Sequence, residues 1–227
     1  GVTDVPDQLI ARIAADSKYW LWINDQLVIF EGGLKRGPSP SGTYYDPVDI
    51  APYLTKGSNT IAILLWHFGK DGFSHINSGK AALLFEAIAP GLEIVSDASW
   101  QFALYEAYQN TEAPFPNYRM PESNIRFDAR QAITNWNRTS FEGSLPGAVC
   151  VGKAGKAPFG ELVERPIPQW KNSGLLSYVS VRESLRGDTL FCRLPYNAQI
   201  TPYLKVEAEA GKTIHIRMDN YEGGSER

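Results

Sequence analysis

Basic residues are too thinly spread for a polyanion partner. The longest run of Lys or Arg is the pair Lys35-Arg36, and 22 Lys+Arg stand against 25 Asp+Glu, a formal net charge of −3. A broad nucleic-acid surface needs a concentrated positive field, which nothing here supplies. Cysteine is equally scarce. Cys150 and Cys192 make no disulfide framework, and no Cys-x-x-Cys pair exists to hold zinc. Cys192, in the strand-like Leu190-Phe191-Cys192-Arg193, reads as a small hydrophobe. Long apolar runs are missing: the most apolar stretch, Ile61-Ala62-Ile63-Leu64-Leu65-Trp66, has six residues, against the ~20 needed to span a bilayer. The first residues carry no basic segment followed by an apolar one, so no signal peptide is read there. Gly-x-Ser-x-Gly, the P-loop and Gly-x-Gly-x-x-Gly are all absent, as is the alternation of strands and helices that gives the last two their meaning.

What is present is a β-rich pattern. The chain has 227 residues, 43% hydrophobic and 12% aromatic, with 20 Gly and 15 Pro spread throughout. Short runs rich in Val, Ile, Tyr, Phe and Trp lie between these breakers, the pattern of an all-β sandwich. In Tyr19-Trp20-Leu21-Trp22-Ile23, alternation puts Tyr19, Leu21 and Ile23 on one face and Trp20 and Trp22 on the other. Asn24-Asp25 then reads as a two-residue hairpin turn into residues 26–30, since both tolerate positive φ.

Residues 31–46 read as a long loop and 49–54 as a single helical turn. A central strand is expected from Asn59 to Trp66, a polar loop over 67–80, a strand over 81–87, and a further strand from Ile94-Val95 with residues 100–104. Residues 128–136 suggest a short helix capped by Asp128. Residues 153–158 read as a surface crossing, and Glu164-Arg165-Pro166-Ile167-Pro168 as an extended strap, because each Pro pushes its predecessor out of helix. A domain boundary is placed near 168, giving 1–168 and 169–227. Strands over 175–181, 189–193, 204–208 and 213–218 then form part of a second sandwich, which the final residues leave incomplete.

Candidate chemistry is sparse. His67 and His75 flank Asp71 on one loop, but a metal site needs three or four converging ligands and no helix aligns these. His215 reads as solvated on the outer face of a strand. Pairs such as Asp46 with Asp49, or Asp16 with Asp25, are the carboxylates a glycosidase would need, yet they lie on turns where Asp commonly caps the backbone. Aromatics at loop mouths say more. Trp66 ends a strand, and sugar rings stack on such side chains while nearby polar groups take the hydroxyls. Tyr44, Tyr45 and Arg36 from the first loop, with His67 and Asp71 from the second, complete a candidate carbohydrate platform. A Trp at the end of an apolar strand is more often a core residue. Asn137-Arg138-Thr139 is a glycosylation sequon, relevant only in a eukaryotic secretory route.

Several motifs in combination resemble the N-terminal modules of bacterial α-L-rhamnosidases. They run from Ala15-Asp16, Tyr19, Leu21 and Ile23-Asn24-Asp25, through Gly37-Pro38 and Tyr44-Tyr45-Asp46-Pro47-Val48-Asp49-Ile50-Ala51-Pro52-Tyr53-Leu54. Gly57-Ser58-Asn59-Thr60-Ile61-Ala62, Trp66-His67-Phe68-Gly69 and the Asp-x-x-Trp of Asp97-Ala98-Ser99-Trp100 complete the core of the match. Glu164-Arg165-Pro166-Ile167-Pro168 resembles the family's strap between sandwiches, and residues 217–226 the segment before its continuing second sandwich.

The resemblance implies a galactose-binding-like jelly-roll sandwich followed by the start of a second β-sandwich. It implies a polysaccharide- or glycoside-degrading parent that removes terminal L-rhamnose with inversion, using acidic residues on a helical toroid that this chain has neither the length nor the helices to form. No catalytic residue carries over. The ligands of the family's calcium-dependent rhamnose-binding modules find no residue-by-residue match, so no cofactor is expected and a structural calcium ion stays open. The expected role is an inactive accessory region packing on the catalytic domain of the same polypeptide, with a rhamnosyl glycan as a further partner and no membrane span. A periplasmic or extracellular setting is favoured over the cytoplasm. The rival readings are an autonomous carbohydrate-binding module and a hydrolase in its own right.

Overall fold

The computed structural model describes residues 1–33, 37, 39, 41–72, 75–110, 125–149, 153–196 and 202–216. The chain divides into two compact units, Gly1–Trp170 and Lys171–Arg227. The described residues are all-β, with two single turns of 3-10 helix, and none of their helices is long and apolar enough to cross a membrane.

The first unit is a sandwich. Its strands are β1 (Ile10–Asp16), β2 (Lys18–Ile23), β3 (Gln26–Gly33), β4 (Thr43–Asp49), β5 (Ile61–Trp66), β6 (Ala82–Ala89), β7 (Leu92–Val95), β8 (Tyr108–Asn110), β9 (Ile125–Phe127) and β10 (Leu162–Glu164). One sheet has the order β10-β4-β1-β6-β7 and the other β3-β2-β5, while β8 pairs with β9 alone. The β10–β4 pairing is parallel. The β2–β3 hairpin forms as the sequence predicts. Asn24 and Asp25 have φ of 47° and 70°, the doubly left-handed turn whose twist matches the flanking strands.

Alternation along β2 fills the core from one side. Tyr19, Leu21 and Ile23 are fully buried and pack with Ala11, Ile13 and Ala15 of β1, Val48 of β4 and Phe85 and Ala87 of β6. The alanines let β1, paired on both sides, lie close to the facing sheet. The Asp-x-x-Trp motif closes this core. Asp97 accepts hydrogen bonds from the Ser99 amide and hydroxyl, which hold its carboxyl below the usual range. Trp100 donates its indole N–H to the Val95 carbonyl at 2.8 Å and packs on Phe85. A smaller apolar cluster covers the other side of the five-stranded sheet. There Phe159 of the crossing segment seats on Ala14 and Ala82, with Tyr45, Leu84 and Leu162 around it. Gly160 follows at φ 67°, and a Cβ there would collide with the Ser41 carbonyl. Only glycine fits that approach.

Several expectations are corrected. The expected loop 31–46 is shorter, because β3 runs to Gly33 and β4 starts at Thr43. Pro47 is tolerated in β4 beyond the three residues that pair with β10. β5 is not central: β2 occupies the middle of its sheet. Residues 100–104 form no strand, and Gln101 makes only an isolated bridge to Gly147. The helix expected over 128–136 is one turn, Ala129–Gln131, capped by Asp128, whose side chain accepts from the Arg130 amide.

In the second unit, β11 (Ser180–Glu183) and β12 (Leu190–Arg193) form a hairpin with Ser180 opposite Arg193. The strand expected over 175–181 thus begins only at 180. Residues 204–208 and 213–216 are not strands, and Met218 lies outside the described residues. His215 is exposed but on no strand, and Cys192 is exposed on β12 rather than tucked into a core. Cys150 lies outside the described residues.

Candidate functional site

Two buried polar knots and one aromatic face stand out in the first unit. The first knot joins the two sheets. Asp46 of β4, 1% exposed, accepts the Tyr19 hydroxyl at 2.7 Å and the Gly33 amide at 2.8 Å. Its Oδ1 is 2.7 Å from Nε of Arg165, just after β10, and the Arg165 guanidinium also donates to the Gly33 carbonyl. Two charges this far from water are tolerated only when paired and hydrogen-bonded. Burial, and then the neighbouring Asp46 carboxylate, raise the Tyr19 hydroxyl well above its usual value.

That shift has a sign. Below about pH 10, the ordinary tyrosine value, Tyr19 is neutral in both the folded and the unfolded chain. Above it the unfolded chain releases the proton and the folded chain keeps it, so stability falls as pH rises, by up to ~1.4 kcal/mol per pH unit for this group. Urea titrations between pH 9 and 11 should therefore show a steeper alkaline loss for the native chain than for Tyr19→Phe. Equal slopes would mean Tyr19 is not held neutral.

The second knot ties down the loop 67–80. Asp16, fully buried at the end of β1, accepts the Ser17 hydroxyl at 2.8 Å and both the amide and hydroxyl of Ser78 at 2.7 and 2.6 Å. His67 Nδ1 and His75 Nε2 approach the same carboxylate at 3.6 and 3.5 Å. The Ser17 hydroxyl in turn accepts the Phe68 amide at 3.0 Å. The two histidines of the loop thus converge, but on Asp16 rather than on Asp71. Asp71 instead caps the loop by accepting the Asn77 amide at 2.7 Å. No group of three metal-ligating side chains is placed to hold an ion among the described residues.

The other carboxylates weighed as pairs also serve the backbone. Asp49 accepts the amides of Leu9 and Ala51. Asp25 accepts the amide and hydroxyl of Thr139, the sequon threonine, and so secures residues 135–141 to the β2–β3 turn.

The expected carbohydrate candidates are only partly brought together. Trp66 and His67 are adjacent at the end of β5. Trp66 meets Phe68 edge-to-face with centroids 5.2 Å apart, and Lys18 Nζ lies 5.5 Å from its ring centre. Tyr44 and Tyr45 belong to β4, in the other sheet. Tyr45 packs against the Phe159 cluster and donates its hydroxyl to Glu164 at 3.4 Å. Tyr44 stands opposite Val163 in the β4–β10 pairing. Arg36 lies outside the described residues.

The aromatic face is that of the three-stranded sheet turned away from the core. Lys18 is opposite Trp66, Trp20 opposite Leu64 and Trp22 opposite Ala62, all on the side opposite the buried Tyr19, Leu21 and Ile23. The alternation in residues 19–23 predicted the two tryptophans sharing a face. It gave no sign that Trp66 joins them, since cross-strand register is not written in either strand.

No family model matches the chain and no curated protein matches it in sequence. Solved structures do match. The GH78 family rhamnosidase of Bacillus sp. GL1 aligns with a TM-score of 0.71 and 29% identity over 81% of this chain and 19% of that one. The native α-L-rhamnosidase from Aspergillus terreus aligns with a TM-score of 0.57 and 19% identity over 83% of this chain and 22% of that one. The α-L-rhamnosidase from Dictyoglumus thermophilum gives 0.56 and 19% over 80% and 20%. The resemblance to α-L-rhamnosidases read from the sequence is thus present in the fold. The chain spans about a fifth of the length of the structures it matches.

Proposed function

We propose that this chain is a non-catalytic accessory β-sandwich region of an α-L-rhamnosidase-like glycoside hydrolase, and that the whole protein removes terminal α-L-rhamnose from glycosides or polysaccharides. The observation that carries this reading is the lopsided overlap: 81% of this chain superposes on 19% of the Bacillus rhamnosidase. The polar groups agree with it. Asp16, Asp25, Asp46 and Asp49 all spend their carboxylates on buried or backbone donors. A glycosidase needs an acid and a second carboxylate facing each other across a substrate.

The second unit supports the packing role. Val181, Leu190 and Phe191 of its hairpin, and Leu204, Val206, Ile214 and Ile216 after it, are all exposed. We assign these exposed apolar side chains to contact with the catalytic domain of the same polypeptide.

Two measurements test the reading together. The purified chain should release no p-nitrophenol from p-nitrophenyl α-L-rhamnopyranoside above background, while the full-length protein should turn it over. Turnover by the chain alone would make it an enzyme. An inactive full-length protein would remove the rhamnosidase assignment.

A further inference from the structure

The outward face of the three-stranded sheet carries three tryptophans, and each meets a further aromatic ring edge-to-face. Trp20 meets Phe30 of β3 at 88° with centroids 6.3 Å apart. Trp22 meets Trp136, from the segment after β9, at 81° and 5.1 Å. Trp66 meets Phe68, from the loop after β5, at 86° and 5.2 Å. An edge-to-face pair holds an indole in one orientation through the attraction of a ring edge for a ring face. All three tryptophans are partly buried rather than sealed. From Trp22 to the position of Trp66, opposite Lys18, is four residues along β2, roughly 13 Å at ~3.3 Å per residue. The strip is therefore long enough for more than one sugar ring.

One end of the strip is charged. Lys18 Nζ lies 5.5 Å from the Trp66 ring centre and 5.8 Å from that of Phe68, and 3.6 Å from Oε2 of Glu31. The lysine side chain is 17% exposed and the glutamate 34%. A cation and a carboxylate at the rim of fixed aromatic rings form the donor and acceptor set that vicinal hydroxyls require, beside the flat apolar surface that a pyranose C–H face requires. A purely apolar docking partner has no use for that ion pair, because it would have to desolvate it.

We propose that the face formed by Trp20, Trp66, Lys18 and Glu31 is a binding surface for neutral pyranosides, with Trp22 extending it along the strand. The inference rests on the glycoside-hydrolase reading for its choice of sugar and moves the site from the Trp66–Tyr44–Tyr45 grouping to a single sheet face. Its occupant is a glycan chain lying along β2, with ring faces on the tryptophans and hydroxyls at the Lys18–Glu31 end.

Titration of the full chain with methyl α-L-rhamnopyranoside and with a rhamnosyl oligosaccharide, followed by tryptophan fluorescence and calorimetry, tests it. The expected result is saturable binding at millimolar or lower concentration, weakened at least about tenfold in Trp20→Ala and Trp66→Ala and largely kept in Trp66→Tyr. Unchanged far-UV circular dichroism separates lost binding from lost fold. Absence of saturation at tens of millimolar with methyl rhamnoside, methyl glucoside and methyl galactoside alike would overturn the proposal. So would binding that all three variants leave intact. Protection of Trp20 and Trp66 from hydroxyl-radical labelling in the full-length protein without sugar would also overturn it, by showing the face covered by another domain. Saturable binding of the glucoside or galactoside alone, beside a full-length protein inactive on rhamnosides, would keep the surface and discard the rhamnosidase reading. An active full-length protein whose accessory chain binds none of the sugars would do the reverse.

Discussion

Asp46→Asn should destabilise the first unit by about 3–5 kcal/mol, the cost of breaking a buried pair from one side. The carboxylate is the shared acceptor for the Tyr19 hydroxyl and the Gly33 amide, and the counter-charge of Arg165. An asparagine offers one acceptor oxygen and no charge, so Arg165 would stay 15% exposed without its anion. At roughly 2–4 °C per kcal/mol for a unit of this size, the melting temperature should fall by on the order of 10 °C. The cause can be separated from simple damage. Arg165→Met should also destabilise, and the double variant should lose clearly less than the sum of the singles, because the second change removes a charge that the first had stranded. Additive losses, or an Asp46→Asn loss under about 1 kcal/mol, would show that the two residues do not act as a pair.

The second large effect is expected at Asp16. Asp16→Ala removes the acceptor for Ser17 and for both donors of Ser78, and leaves His67 and His75 without the anion they approach. Each buried donor left unsatisfied costs about 1–3 kcal/mol, so a loss of about 3 kcal/mol or more is expected. It should be accompanied by faster hydrogen exchange at the Ser78 and Phe68 amides, because both hang on this knot directly or through Ser17. Asp71→Asn is the comparison. Its exposed carboxylate holds the single Asn77 amide, and its loss should stay within about 1 kcal/mol. If the two variants behaved alike, the loop would not be anchored at Asp16.

What was legible in the sequence follows a physical divide. The β2–β3 hairpin was readable because alternation and a turn residue pair are local signals, and residues 19–26 carry both. β1 and β4 were missed for the opposite reason. β1 is rich in alanine, which lets it lie close to the facing sheet but carries little strand propensity, and β4 contains an aspartate and a proline that ordinarily mark turns. Residues 100–104 carry the aromatic content of a strand, but Trp100 is used as an anchor on Phe85. The polar knots were invisible because nothing local joins Asp46 to Arg165, 119 residues on, or Asp16 to Ser78, 62 residues on. Tyr44 and Tyr45 belong to a different sheet from Trp66, a separation that no local pattern records.

The Arg165–Asp46 pin also constrains how the protein can be made. Its partners enter the chain far apart, and β10 must lie alongside β4 in parallel before the guanidinium reaches the carboxylate. The motifs that define the sandwich by resemblance are complete by Trp100, yet a nascent chain of that length would have to bury Asp46 without its counter-ion. The sandwich is therefore expected to reach its full stability only once residue 165 has left the ribosome, through pairing across more than a hundred residues, the kind of non-local contact that folds slowly. A fragment ending at Trp100 should accordingly be less stable than one that runs past the arginine.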